Sequence, residues 1–344
     1  MLFLNATDIE SCLVRKELMD QMEEAMSLFE TEKVNMPPRT HLSHDKKTLL
    51  LMPCFGQEYF STKLVTVFPE NRGTANPVVN GIVVLNDAKT GVPVAILDGQ
   101  TLTAIRTGAV GGLGTRYFAS LSSNTAGLVG SGVQGFHQII FAAEAHIEIT
   151  GHPLETVYIH NRDSSKVPGF IELLRPHLEG TELRHAATVE ELLEESGTVI
   201  LATSSARPVL PDKPSLLDGK CIVAIGSYTP DMQEIPKSAF MLADSIFMDT
   251  SHAIHESGDL INPLKHGWIS PEKVTSLGQF LLELKKTKSK EASKFSKSHG
   301  DYGASDYMRG RTVIYKSVGM AVFDLMAAIH IFKCAIKDNV GTNL

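Results

Sequence analysis

One short run has the residue types and spacing of a phosphate-binding loop: Leu128-Val129-Gly130-Ser131-Gly132-Val133-Gln134-Gly135. Apolar, strand-like residues lead into Gly-x-Gly-x-x-Gly, and a helical pattern follows from Phe136 to about Ile149. In this context Gly130 makes the tight turn, Gly132 lets the backbone approach a pyrophosphate, and Gly135 lets helix and strand pack closely. Val133 and Gln134 complete the loop. The helix start then offers free N–H groups and the positive end of its dipole to an anion. The next strand ends in Val157-Tyr158-Ile159-His160-Asn161-Arg162-Asp163-Ser164-Ser165-Lys166. An acidic residue at such a tip holds the ribose 2′-OH of NAD, whereas an arginine with hydroxyls accommodates a 2′-phosphate. Asn161 and Arg162 therefore point to NADPH, with NADH as the alternative, because an inward Asp163 would repel the phosphate.

Three cations stand in unusual settings. Arg39 follows Pro37-Pro38, Lys63 opens the apolar run Leu64–Phe68, and Arg106 lies in the small, uncharged segment Thr103–Ala109. A charge is costly to bury without a partner. Singly, each is also what a structural ion pair looks like. Together, and beside a nicotinamide site, they suit a substrate carboxylate: arginine as a bidentate clamp, lysine as a point charge that can donate a proton.

The elements that must position these groups follow from periodicity. Thr7-Asp8-Ile9-Glu10 reads as a capping box. The helix after it places Leu18, Met22, Ala25, Met26 and Phe29 on one face. Strands are expected over Thr48–Met52, Lys63–Phe68, Gly81–Asn86 and Pro93–Leu97, the last two joined as a hairpin through Asp87–Gly91. A Gly/Ala-rich helix follows over Leu102–Tyr117, and the polar Ser120–Asn124 marks a domain boundary. From Thr125 the pattern alternates. Strands are expected at Ala126–Val129, Thr156–His160, Glu182–His185, Thr198–Ala202, Cys221–Ile225 and Ser245–Met248, with helices such as Val189–Glu195 between them. This predicts an α/β fold with a Rossmann-type, doubly wound parallel sheet. The unit reads as complete near residue 310. A C-terminal helix, Val313–Lys337, is expected to pack back on the first domain. The chain thus divides into 1–119 with 312–344, and 120–311.

With 344 residues, 43% hydrophobic and 21% charged, the chain can fill full cores. Its net charge of −7 argues against a nucleic-acid partner. No apolar run reads as a membrane span or a signal peptide. The scattered cysteines Cys12, Cys54, Cys221 and Cys334 read as core residues in a reducing compartment, with no metal site expected, and the cytoplasm is the default location. The basic stretch Lys285–Lys290, with Lys294, Lys297 and Gly300–Gly303, reads as a solvated, mobile loop.

At these residues the chain resembles the ornithine cyclodeaminase/mu-crystallin family. The resemblance runs through Met36–Arg39, Ser61–Lys63, Asp98-Gly99, Thr103–Ala109 and the glycine loop. It continues through Ala202-Thr203-Ser204, Pro208–Leu210, Gly226–Pro230, Glu256–Leu260 and Lys316–Ala321 with Asp324. It implies a homodimer in which the first domain binds substrate and dimerises, completed by the C-terminal helix. It also implies that Arg39, Lys63 and Arg106 contact the substrate carboxylate, and that Thr203, Ser227 and Ser317 lie near the cofactor. Cyclodeaminases and alanine dehydrogenases of the family carry an aspartate in a Gly-x-Asp-x-Pro pattern, where this chain has Tyr228; Asp231 cannot be assumed to replace it. A cyclodeaminase needs a base near the reacting nitrogen, and tyrosine, with an ordinary pKa near 10, is a poor one. The expected activity is therefore NAD(P)H-dependent reduction of a small cyclic ketimine, Δ1-pyrroline-2-carboxylate or Δ1-piperideine-2-carboxylate, to the L-imino acid. Lys63, Tyr228 or water would supply the proton. The alternatives are an ornithine cyclodeaminase, an amino-acid dehydrogenase, or a mu-crystallin-like ligand-binding protein without turnover.

Overall fold

The computed structural model describes residues 1–71, 73–292 and 309–344. The chain divides into two units, Met1–Arg106 with Met320–Leu344, and Thr107–Gly319.

The first unit starts with strand β1 (Leu2–Leu4) and helix α1 (Ala6–Ser11). The capping box is there, but two residues earlier than expected. Asn5 caps the helix through the Asp8 N–H, and the Asp8 carboxylate accepts from the Asn5 N–H, each at 3.0 Å. Asparagine is at least as good a cap as threonine, so the helix starts at the first residue able to cap it. Helix α2 (Arg15–Glu30) buries Leu18, Met22, Ala25 and Met26 as its spacing requires, with Phe29 half-buried. Four strands then form an antiparallel meander: β2 (Thr40–His44), β3 (Lys47–Phe55), β4 (Tyr59–Val67) and β5 (Val79–Asp87). Strand β6 (Pro93–Asp98) closes the predicted hairpin. The Asp87 carboxylate fastens its turn by accepting from Lys89 N, Thr90 N and Thr90 Oγ1. Helix α3 (Gly99–Phe118) follows at once, with Asp98 capping the Thr101 N–H at 2.8 Å.

The register sets which residues share a face. Met52, Lys63, Val83 and Leu97 stand in one row across β3, β4, β5 and β6, on the buried side with Cys54, Ser61, Leu85 and Ala95. Leu51, Leu64, Ile82 and Val84 alternate to the other side, where Ile82 keeps 40% of its surface.

The second unit is an eight-stranded, wholly parallel sheet. Strand β7 (Thr125–Val129) feeds helix α4 (Val133–Thr150), and β8 (Thr156–His160) feeds α5 (Val167–Leu174). Strand β9 (Glu182–His185), helix α6 (Val189–Glu195) and strand β10 (Thr198–Leu201) continue the alternation. Next come α7 (Pro214–Leu217), β11 (Cys221–Ala224), α8 (Lys237–Leu242) and β12 (Ser245–Met248). Two helices, α9 (Ala253–Glu256) and α10 (Gly258–Lys265), precede the short β13 (Val274–Ser276) and α11 (Leu277–Ala292). The spatial order is β13-β12, then β14 (Val313–Lys316), then β11-β10-β7-β8-β9. Leu192, Leu201, Ile222, Phe240, Ile246 and Ile314 form part of its core.

Two segments differ from expectation. Residues Val313–Lys316 are not the start of the C-terminal helix but the strand β14, central in the sheet between β11 and β12. The apolar run here, Val313-Ile314-Tyr315, is too short for periodicity to tell strand from helix. The break is Gly319, at φ +85°, a conformation that ends regular structure. The helix itself, α12, spans Ala321–Asp338, and a last short strand, β15 (Thr342–Asn343), pairs antiparallel with β1. The first-unit sheet is thus β15-β1-β6-β5-β4-β3-β2, with α12 on its buried face. Second, Lys285–Lys290 belongs to helix α11 rather than to a loop. Lys294, Lys297 and Gly300–Gly303 lie outside the described residues. No helix among the described residues is long and apolar enough to cross a membrane.

Candidate active site

Three glycines shape the loop between β7 and α4 differently. Gly130 has φ +109°, and a β-carbon there would stand 2.6 Å from the Ala202 carbonyl oxygen, so both the turn and the close approach demand glycine. A β-carbon at Gly135 would collide with the Gly130 carbonyl, because α4 packs so tightly on its strand. Gly132, by contrast, has ordinary φ and nothing within 4 Å of a β-carbon. It is the N-cap of α4 and supplies no side-chain acceptor for the first N–H groups. A loop that is cramped behind and bare in front, ahead of an uncapped eighteen-residue helix, fits a pyrophosphate.

Asn161 ties the end of β8 to this loop, its Nδ2 donating to Ser131 Oγ at 2.5 Å. Its Oδ1 accepts the Asp163 N–H at 2.9 Å. Asp163 accepts from Ser165 Oγ at 2.6 Å and pairs with Lys166 at 3.6 Å. The Ser165 hydrogen bond holds its carboxyl below the usual aspartate range. The Arg162 side chain is exposed and pairs with none of the described residues.

The loops after β10, β11 and β14 carry Thr203, Ser227 and Ser317. Each hydroxyl is committed to the protein. Thr203 Oγ1 donates to Glu234 at 2.8 Å. Ser227 Oγ lies 2.7 Å from both Met232 O and Ser257 Oγ. Ser317 Oγ donates to Asp249 at 2.6 Å, and the Val318 and Gly319 N–H groups join it there. Behind these loops lies a buried ionic cluster that sequence reasoning missed: Glu234, Asp249, Asp259 and Lys316, none more than 1% exposed. Lys316 Nζ is 3.4 Å from Asp259 Oδ2. Burial pushes Glu234 above the ordinary glutamate range, with Asp259 adding to the rise and Lys316 opposing it. Tyr228, by contrast, is 54% exposed. Asp231, also exposed, accepts from Thr229 Oγ1 at 2.6 Å, which holds its carboxyl low.

In the first unit, Lys63 projects from β4 and Arg106 from α3 onto one carboxylate, Asp324 of α12. Lys63 Nζ is 2.8 Å from Oδ2 and Arg106 Nε 3.0 Å from Oδ1. Lys63 Nζ also lies 3.5 Å from Thr103 Oγ1. All three charged groups are buried, and together they carry one net positive charge. Burial pushes Lys63 down to about 8, with Arg106 and Arg39 adding to the fall and Asp324 opposing it. Burial pushes Asp324 up, but Arg106 and Lys63 outweigh it and hold the carboxyl below its usual value. Arg39 is half-buried and near enough for its charge to act on Lys63. The ion-pair and ligand readings of Lys63 and Arg106 are therefore not exclusive. One carboxylate orients two cations, and a unit of positive charge is left over. Asp324 was legible by the rule that singled out Arg106, since it is a lone charge in Ala321-Val322-Phe323-Asp324-Leu325.

A glycine phosphate loop at the head of a parallel doubly wound sheet, with a separate α+β unit, defines the class: a protein with a Rossmann-type dinucleotide domain. The chain belongs to the ornithine cyclodeaminase/mu-crystallin family, whose model matches residues 1–339. It is 29% identical to a Δ1-pyrroline-2-carboxylate reductase of Bacillus cereus, over all of this chain and 99% of that protein. Among solved structures it is similar to Thermococcus litoralis Δ1-pyrroline-2-carboxylate reductase in complex with NADH and L-proline. The TM-score is 0.83 and the identity 28%, with both chains fully covered. An archaeal alanine dehydrogenase dimer with bound NAD gives a TM-score of 0.80 at 25% identity, covering 100% of this chain and 98% of that one.

Proposed function

We propose that this protein is an NADPH-dependent ketimine reductase, converting Δ1-pyrroline-2-carboxylate or Δ1-piperideine-2-carboxylate to L-proline or L-pipecolate. The observation that carries this reading is the buried Lys63–Asp324–Arg106 cluster with its surplus positive charge. Relatives named as Δ1-pyrroline-2-carboxylate reductases support it over the full length of the chain.

When bound, the nicotinamide supplies a hydride to the imine carbon. The protein's part is placement, electrostatics and a proton. Arg106 and Lys63, with Arg39, hold the substrate carboxylate, and Asp324 keeps the two buried cations from swinging away. Reduction of C=N also consumes one proton at nitrogen. Lys63, at about 8, is protonated at neutral pH yet gives up its proton far more readily than an ordinary lysine. We assign it the proton-donor role ahead of the exposed Tyr228. Gly130, Gly132, Val133, Gln134 and Gly135 would cradle the pyrophosphate, and Asn161 and Arg162 the adenosine ribose. Asp163 is occupied by Ser165 and Lys166, which leaves Arg162 as the group facing a 2′-phosphate; this favours NADPH, with NADH the alternative.

The half-exposed apolar side of the first-unit sheet, with Leu51, Leu64, Ile82 and Val84, supports a homodimer, as in the archaeal alanine dehydrogenase dimer. The four free cysteines fit a reducing compartment, and the cytoplasm is the proposed location. The test is oxidation of NADPH and NADH with the two cyclic imines, run beside ammonia release from L-ornithine. Imine-dependent oxidation without ammonia supports the reductase. Ammonia release without net cofactor change makes it a cyclodeaminase, and cofactor binding without either makes it a ligand-binding protein.

A further inference from the structure

We propose that Glu234 is a positioning residue for the nicotinamide half of the cofactor cleft, acting as a clamp between the loops after β10 and β11. This rests on the dinucleotide reading of the site.

The strand order reverses between β7 and β10, with β8 and β9 on one side of β7 and β10, β11 and β14 on the other. A dinucleotide lies across such a switch point, outside the carboxyl ends of the strands. Its adenosine half falls to the β8 side, where Asn161 and Arg162 stand. Its nicotinamide half then falls to the β10 and β11 side. The Ala202 carbonyl, against which Gly130 is cramped, marks where the β10 loop meets the phosphate loop.

Glu234 reaches both loops on that side. Its Oε1 accepts the Thr203 N–H at 2.7 Å and the Thr203 hydroxyl at 2.8 Å, and its Oε2 accepts the Ser227 N–H at 3.1 Å. The side chain is fully buried, so these bonds have no water to replace them. Gly226, just before Ser227, has no room for a β-carbon, which would run into the Thr203 backbone and stand 2.5 Å from Glu234 Oε1. The clamp is itself braced. Asp259 Oδ1 accepts the Glu234 and Ile235 N–H groups at 2.8 and 3.0 Å, and Lys316 at the end of β14 pairs with the other Asp259 oxygen.

Only a carboxylate offers two acceptor oxygens here. An amide of the same shape turns an NH2 toward either Thr203 or Ser227, setting donor against donor. The experiment uses the full-length protein and two variants, Glu234→Gln, and Gly226→Ala as an independent wedge in the same clamp. Calorimetry measures binding of NADPH and of 2′-phospho-ADP-ribose, which lacks the nicotinamide. The expected result is NADPH binding weakened about tenfold, with kcat reduced, while 2′-phospho-ADP-ribose binding stays within about twofold of the unsubstituted protein. Equal weakening of both ligands, or loss of a cooperative melt in both variants, would mean general support of the fold and overturn the proposal. So would unchanged binding of both ligands. An unsubstituted protein that binds neither ligand overturns the dinucleotide reading itself, and the clamp falls with it.

Discussion

The ammonium of Lys63 stands 2.8 Å from the carboxylate of Asp324, with 3% and 0% of the two side chains exposed. One comes from the middle of a sheet and the other from the C-terminal helix, and a third charge, Arg106, shares the same carboxylate. Removing one partner of a buried, hydrogen-bonded charge pair is expensive because the remaining charge stays buried.

Replacing Arg106 with leucine tests the carboxylate clamp. Asp324 keeps Lys63 as its partner, so the fold is expected to survive with a lowered melting temperature. Turnover is expected to fall at least thirtyfold, about 2 kcal/mol of lost transition-state binding. Steady-state kinetics beside a thermal melt separate the two effects; unchanged kinetics in a folded variant would remove Arg106 from the site.

The pH dependence follows from Lys63. With its proton leaving at about 8, kcat/KM is expected to fall on the alkaline side of that value. Stability moves the other way for this group. Below about 8 folded and unfolded chains both hold the proton. Between about 8 and the ordinary 10.5, only the unfolded chain does. There the unfolded state binds more protons, so the Lys63 contribution to stability rises with pH. Because Asp324 props the value up, Asp324→Asn is expected to shift the alkaline limb to lower pH. A limb that stays put in the variant would take Lys63 out of the proton-donor role.

The proposed preference for NADPH rests on Arg162. Arg162→Ala is expected to raise KM for NADPH about tenfold, in line with one charge-assisted contact to phosphate, and to leave KM for NADH nearly unchanged. Equal effects on both cofactors would end the 2′-phosphate reading.

Two neighbouring glycines are expected to fail in different ways. Gly132→Ala meets nothing in the protein and should fold normally; on the proposed cofactor site its methyl group would stand where the pyrophosphate approaches, so dinucleotide binding is expected to be lost. Gly135→Ala collides with the Gly130 carbonyl and is expected to destabilise the fold by several kcal/mol. A thermal melt and a cofactor titration on each variant check the contrast.

Much of this was legible in the sequence, for local reasons. The glycine loop, the β8 tip and the β5–β6 hairpin are read from turn chemistry and period, and both are local properties. Lys63 and Arg106 stood out as charges in apolar company. What escaped was set by distant partners. Strand β1 is three residues long and exists because β6 offers it an edge. Thr40–His44 is exposed at every position, so β2 has no apolar alternation to betray it. Asp259 and Lys316 fall in segments that carry the resemblance, but nothing local pairs them with each other or with Glu234 until the loops that converge on them are folded. Resemblance places the Thr203, Ser227 and Ser317 hydroxyls near the cofactor, and nothing local reveals that each is bonded to this network or to its flanking loops.

Strand β14 lies between β11 and β12, yet it is made after both and after β13. During synthesis, β11 and β12 must therefore wait with unpaired edges until roughly ninety residues beyond β11 have emerged, a span that follows from Ala224 and Val313. A nascent chain in that condition presents two apolar strand edges of the kind chaperones recognise and aggregation exploits. An Ile314→Pro chain, which keeps α12 but breaks the central strand β14, is accordingly expected to be insoluble, whereas a chain lacking only β15 should remain soluble. If the larger unit completes only with its last strand, ribosome pausing late in the message is expected to prolong the vulnerable interval more than pausing early.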